Sequence, residues 1–109
     1  MIAEETLSKM VEIIVRAIDP VEIILFGSQA RNDAREDSDV DILIVEDHQY
    51  QPGESRRQRL ADLYRVLMPF RFAKDLLLFN RSEFERRSKT LNHVTAYAVR
   101  EGKVLYERN

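Results

Sequence analysis

Two apolar runs, Val21–Phe26 and Val40–Val45, frame the segment that most constrains this chain. Gly27-Ser28 closes the first run, ten residues follow, and Asp39-Val40-Asp41 opens the second. Val, Ile and Phe favour a pleated, half-buried surface, so both runs are read as strands. A Gly-Ser corner after a strand can bring backbone N–H groups close to an anion. Side chains two positions apart on a strand point to the same face. Asp39 and Asp41 therefore project together, while Val40 turns the other way into packing. A tight turn on one strand and paired carboxylates on the next suit a nucleoside triphosphate and Mg²⁺.

The rest of the chain supplies a small sheet and its covering helices. Leu7, Met10, Val11, Ile14 and Ile18 recur at helical spacing, which predicts an amphipathic helix over residues 3–18. Asp19-Pro20 stops it, because the residue before proline avoids the helical region. Residues 29–38 are polar and read as a loop or short helical turn. Glu46–Gly53 reads as a loop, and Leu60, Leu63, Tyr64 and Leu67 mark a second helix ahead of Pro69. Ala73–Phe79 is the third strand, with Asp75 inside it. Asn80 or Ser82 would cap a short helix ending at Arg87. Thr90 would cap another, with Leu91, Val94, Thr95 and Ala98 on its buried stripe and Gly102 ending it in a left-handed conformation. Val104–Tyr106 would add a short edge strand. The expected fold class is α/β of the α+β kind, a small mixed sheet flanked by helices.

Composition narrows the function classes. A chain of 109 residues is long enough for one domain with one core, expected over residues 1–109. A net charge of −2 lacks the basic signature of general duplex binding, so no direct nucleic-acid partner is expected. The absence of cysteine removes disulfides and thiolate chemistry and fits a reducing cytoplasm. No apolar run approaches a membrane span, and the acidic start Met1-Ile2-Ala3-Glu4-Glu5 does not resemble a secretion signal.

Pairing of the second and third strands would bring Asp75 to Asp39 and Asp41. Three converging carboxylates suit a pair of Mg²⁺ ions, since hard cations take oxygen ligands. Two such ions brace the attacking and leaving oxygens of an in-line displacement. Ser28 and its neighbouring amides would hold the triphosphate, with Arg31 near enough in sequence to add a bidentate phosphate contact. Asp75 between apolar neighbours would be costly to bury unless metal-bound or paired with Arg71 or Lys74.

The segment Gly27-Ser28-Gln29-Ala30-Arg31-Asn32-Asp33-Ala34-Arg35-Glu36-Asp37-Ser38-Asp39-Val40-Asp41 resembles the signature of the nucleotidyltransferase superfamily that includes DNA polymerase beta. The chain is most similar to its minimal nucleotidyltransferases, antitoxins of two-gene modules with HEPN toxins. The likeness extends to Lys74-Asp75-Leu76-Leu77 and to the closing Arg100-Glu101-Gly102-Lys103-Val104-Leu105-Tyr106. It implies a polymerase-beta-like fold and transfer of AMP from ATP to a tyrosine of a HEPN ribonuclease. Gly27, Ser28 and Arg31 match phosphate-binding positions, Asp39 and Asp41 match the metal-binding pair, and Asp75 matches the third carboxylate, a general base and co-ligand. Gln29 stands where relatives often carry Arg, and Asn32 where they often carry Gly. The short chain leaves little room for an acceptor pocket, which favours a protein that brings its own acceptor. Two alternatives stay open: an antitoxin acting by binding alone, and a small-molecule nucleotidyltransferase.

Other polar residues have plainer readings. Arg56, Arg57 and Arg59 are expected on a solvated helix face, the alternative being contact with RNA, the triphosphate or an acidic partner. His48 and His93 lack ligand-spaced companions. Tyr50, Tyr64, Tyr97 and Tyr106 are expected to pack.

Overall fold

The computed structural model describes residues 2–31, 39–90 and 93–108. Helix α1 (Glu4–Ile18) leads into strand β1 (Glu22–Phe26), which ends in a single 3₁₀ turn at Gly27–Gln29. Strand β2 (Val40–Glu46), helix α2 (Arg56–Val66) and strand β3 (Lys74–Asn80) follow, then helices α3 (Arg81–Arg87) and α4 (Val94–Glu101) and strand β4 (Lys103–Glu107). The four strands form one mixed sheet in the order β3-β2-β1-β4. The β2–β3 pair is parallel, and β1 runs antiparallel to both β2 and β4. The expected mixed sheet with flanking helices is therefore what forms.

Alternation along the strands sorts the core into two layers. Ile23, Leu25, Ile42, Ile44, Leu76 and Leu78 pack with Leu7, Met10 and Ile14 of α1 and Leu63 of α2. Ile24, Leu43 and Val45 face the other way, against Ala98 of α4 and Phe84 of α3. Central strand β2 is thus covered on both faces, which explains its unbroken apolar run. Among the described residues, no helix is long and apolar enough to cross a membrane.

Several local expectations change. Glu46 is the last residue of β2 rather than the first of a loop, and it is 1% exposed. Arg59 donates to both of its carboxylate oxygens at 2.8 and 3.0 Å, and the Tyr50 hydroxyl donates to Oε2 at 2.7 Å. Arg56 pairs with Glu83 at 2.6 Å. Of the three arginines expected on a solvated face, Arg57 is exposed while Arg56 and Arg59 are half-buried, because two acids reach across to them from neighbouring elements. Asn80 caps α3 in a reciprocal capping box with Glu83.

Helix α4 starts later than expected. His93, not Thr90, is its cap, accepting from the Thr95 N–H at 3.1 Å. Leu91 lies outside the described residues. Gly102 is extended at φ −79°, not left-handed. Its glycine answers a steric need: a Cβ there would lie 2.2 Å from the Ala98 carbonyl oxygen and 2.5 Å from Ile24 Cγ2.

Candidate active site

The strand registers bring the signature residues to one end of the sheet. Asp41 stands opposite Phe26 on β1 and opposite Asp75 on β3. This is the C-terminal end of β1 and the N-terminal end of β2 and β3. Val40 turns into the α1–α2 layer and is 2% exposed. By strand alternation, Asp41 and Asp75 share the opposite face with Leu43 and Leu77, just beyond the apolar cluster under α3 and α4. Asp39, immediately before β2, is exposed.

Gly27 is fitted against this site. Its φ is +74°, a backbone region that L side chains rarely adopt. A Cβ there would stand 2.3 Å from Asp41 Oδ2. The backbone of the turn and the carboxylate therefore touch because position 27 has no side chain. The Gly27 carbonyl accepts from the N–H groups of both Ala30 (3.1 Å) and Arg31 (3.2 Å), which closes the turn.

The electrostatics are those of crowded acids. Partial burial, then the charges of Asp75 and Asp39, push the Asp41 carboxyl above its ordinary value. The nearby Arg31 guanidinium acts in the opposite sense. Arg31 also lies 3.6 Å from Glu101 at the end of α4, so it bridges the turn and that helix. Asp75 is exposed near the start of an edge strand, so the cost expected for burying it between apolar neighbours does not arise. Lys74 does not pair with it. Its ammonium donates to the carbonyls of Phe70 and Phe72.

Gln29 is 6% exposed, and its Oε1 accepts from the Ile2 N–H at 3.1 Å. The side chain thus ties the N-terminal segment to the turn. Asn32, the other departure from the family pattern, lies outside the described residues.

Helical periodicity concealed one residue at the site. Tyr64 falls on the apolar stripe of α2, yet its hydroxyl accepts from the Leu76 N–H at 2.8 Å and lies 3.5 Å from Asp75 Oδ1. Nothing in the spacing of Leu60, Leu63 and Leu67 distinguishes such a tyrosine from a core residue.

The donor chemistry fits hard divalent cations: carboxylates on one face, with mutual repulsion that a cation would relieve. As they stand, no three acidic or histidine side chains among the described residues close around an ion position.

A strand, a glycine-led turn pressed on a carboxylate and a further acid on the adjoining parallel strand form the arrangement that the signature led us to expect. The model of the nucleotidyltransferase domain family matches residues 7–97, and the chain belongs to that family. No curated protein sequence matches it significantly. Among solved structures it is similar to a protein of Sulfolobus solfataricus assigned as a nucleotidyltransferase. That match has a TM-score of 0.61 and 24% identity over 94% of this chain and 79% of the other. It is also similar to a chain in a toxin–antitoxin structure solved with AMP-PNP, at a TM-score of 0.59 and 20% identity over 94% of this chain and 74% of the other. At these identities the likeness is one of fold.

Proposed function

We propose that this nucleotidyltransferase transfers AMP from ATP to a tyrosine hydroxyl of a HEPN-type toxin and thereby serves as its antitoxin. The observation that carries the reading is the Asp41–Asp75 register with Gly27 seated on Asp41. It supports the reading because it brings a turn of the anion-binding kind against facing carboxylates. The likeness to a chain from a toxin–antitoxin structure containing AMP-PNP supports both the nucleotide and the partner class.

In this reading Gly27 and Ser28 bind the triphosphate through backbone and hydroxyl, and Arg31 adds charge. Asp39, Asp41 and Asp75 would hold two Mg²⁺ ions, whose chemistry there would be to lower the pKa of a hydroxyl and to neutralise charge on pyrophosphate. Asp75 takes the proton of the acceptor hydroxyl. The acceptor oxygen forms a bond to the α-phosphorus, and the bond from that phosphorus to the β-bridging oxygen breaks. Pyrophosphate leaves with the electron pair.

The test is incubation with α-labelled ATP, Mg²⁺ and a HEPN-type protein encoded beside this gene. Label on a tyrosine of that protein, abolished by Asp39→Ala/Asp41→Ala, is the expected result. Equal labelling by the double variant would remove the enzymatic reading. Toxin neutralisation that persists in the double variant would instead point to an antitoxin acting by binding.

A further inference from the structure

Of the two carboxylates that lie within strands, Asp41 and Asp75, Asp75 has the lesser support from the sheet. It projects from β3, which has a neighbour on one side only, and it is exposed. On the unpaired edge of such a strand, a backbone N–H needs a partner from outside the sheet. Leu76, the residue after Asp75, finds one in the Tyr64 hydroxyl at 2.8 Å, a full-strength bond. The same hydroxyl lies 3.5 Å from Asp75 Oδ1, at the long limit for a hydrogen bond. The tyrosine is carried by α2, whose Leu63 is 1% exposed in the core, so the phenol projects from a fixed base.

From this geometry we infer that Tyr64 is a positioning residue for the third carboxylate. It acts chiefly by fixing the backbone from which Asp75 projects and secondarily through the carboxylate oxygen itself. The hydroxyl has one proton and two lone pairs, so it can accept from Leu76 and donate to Asp75 at once. The inference rests on the proposal that Asp75 is a metal ligand. Partners of metal ligands that set their orientation are typically worth about 10- to 100-fold in metal affinity.

The experiment compares wild type, Tyr64→Phe, Asp75→Asn and the double variant. Tyr64→Phe keeps the ring and removes only the hydroxyl. In the metal-free protein, amide exchange at Leu76 should speed up by about tenfold or more in Tyr64→Phe, corresponding to loss of one hydrogen bond. Mn²⁺ binding with a non-hydrolysable ATP analogue, followed by electron paramagnetic resonance, should weaken by about tenfold. In the Asp75→Asn background, Tyr64→Phe should produce no further loss of Mn²⁺ affinity. Tyr64→Leu, a second variant lacking the hydroxyl, should reproduce the exchange effect. Unchanged Leu76 exchange, or an equal Mn²⁺ loss in the Asp75→Asn background, overturns the inference. Failure of wild type to bind Mn²⁺ and the analogue would instead strike the proposed function, and the Leu76 measurement would still decide whether the phenol anchors this strand.

Discussion

Asp41 faces Asp75 across the parallel β2–β3 ladder. The two strands meet side by side because α2 makes the crossover that parallel pairing requires. Two acids at one rung repel each other, and the structure bears that cost where a cation or a phosphate-bound metal would remove it.

Gly27→Ala should damage catalysis more than folding. The new Cβ would stand 2.3 Å from Asp41 Oδ2 at a φ of +74°, so Asp41 or the turn must shift. The backbone strain is worth about 1–2 kcal/mol. A displacement on the order of 1 Å at reacting groups costs roughly 100-fold in rate. Single-turnover transfer rates and melting curves on the same sample separate the two effects.

Arg59→Ala should be among the most destabilising changes at a partly exposed position. It would leave the Glu46 carboxylate, 1% exposed, with Tyr50 as its remaining side-chain partner. Breaking a buried pair from one side costs roughly 3 kcal/mol or more. Tyr50→Phe removes a single bond to that carboxylate and should cost about 1–2 kcal/mol. Urea unfolding of both variants gives the comparison. A loss below about 0.5 kcal/mol for Arg59→Ala would place the pair with ordinary surface bridges.

Glu22 and Glu107 oppose each other on β1 and β4. Burial first, and the Glu107 charge second, raise the Glu22 carboxyl above its usual value of 4.5. The folded state therefore binds this proton more tightly than the unfolded chain. The penalty is absent below the unfolded value, grows as pH rises through the raised folded value, and is complete above it. Glu107→Gln should stabilise the protein at pH 7 by about 0.2–1 kcal/mol, the usual worth of a cross-strand pair. The gain should shrink as the pH is lowered through 4.5. Melting temperatures of both proteins between pH 3.5 and 7 test the sign.

Much of the fold was legible because its signals are local. The apolar stripe of α1, the Val/Ile-rich β1 and β2 and the Asn80 cap each follow from a few adjacent residues. The Gly27–Asp41 fit was legible only as a motif, since the contact depends on the β1–β2 register. The rest was decided by partners distant in sequence. Glu46 reads as a loop residue until Arg59, thirteen positions on, reaches it. Gly102 reads as a left-handed cap until Ile24 and the Ala98 carbonyl are placed against it. Tyr64 reads as core until the β3 edge supplies an N–H for its hydroxyl. Gln29 stands as a lost positive charge in the sequence, whereas the fold uses its amide to hold Ile2.

The most direct test is a crystal structure with Mn²⁺ and a non-hydrolysable ATP analogue. Anomalous density should appear between Asp39 and Asp41, with the triphosphate on Gly27 and Ser28 and its α-phosphorus facing Asp75. Nucleotide bound away from Gly27, or a triphosphate at the turn with no metal at Asp39 and Asp41, would contradict the account.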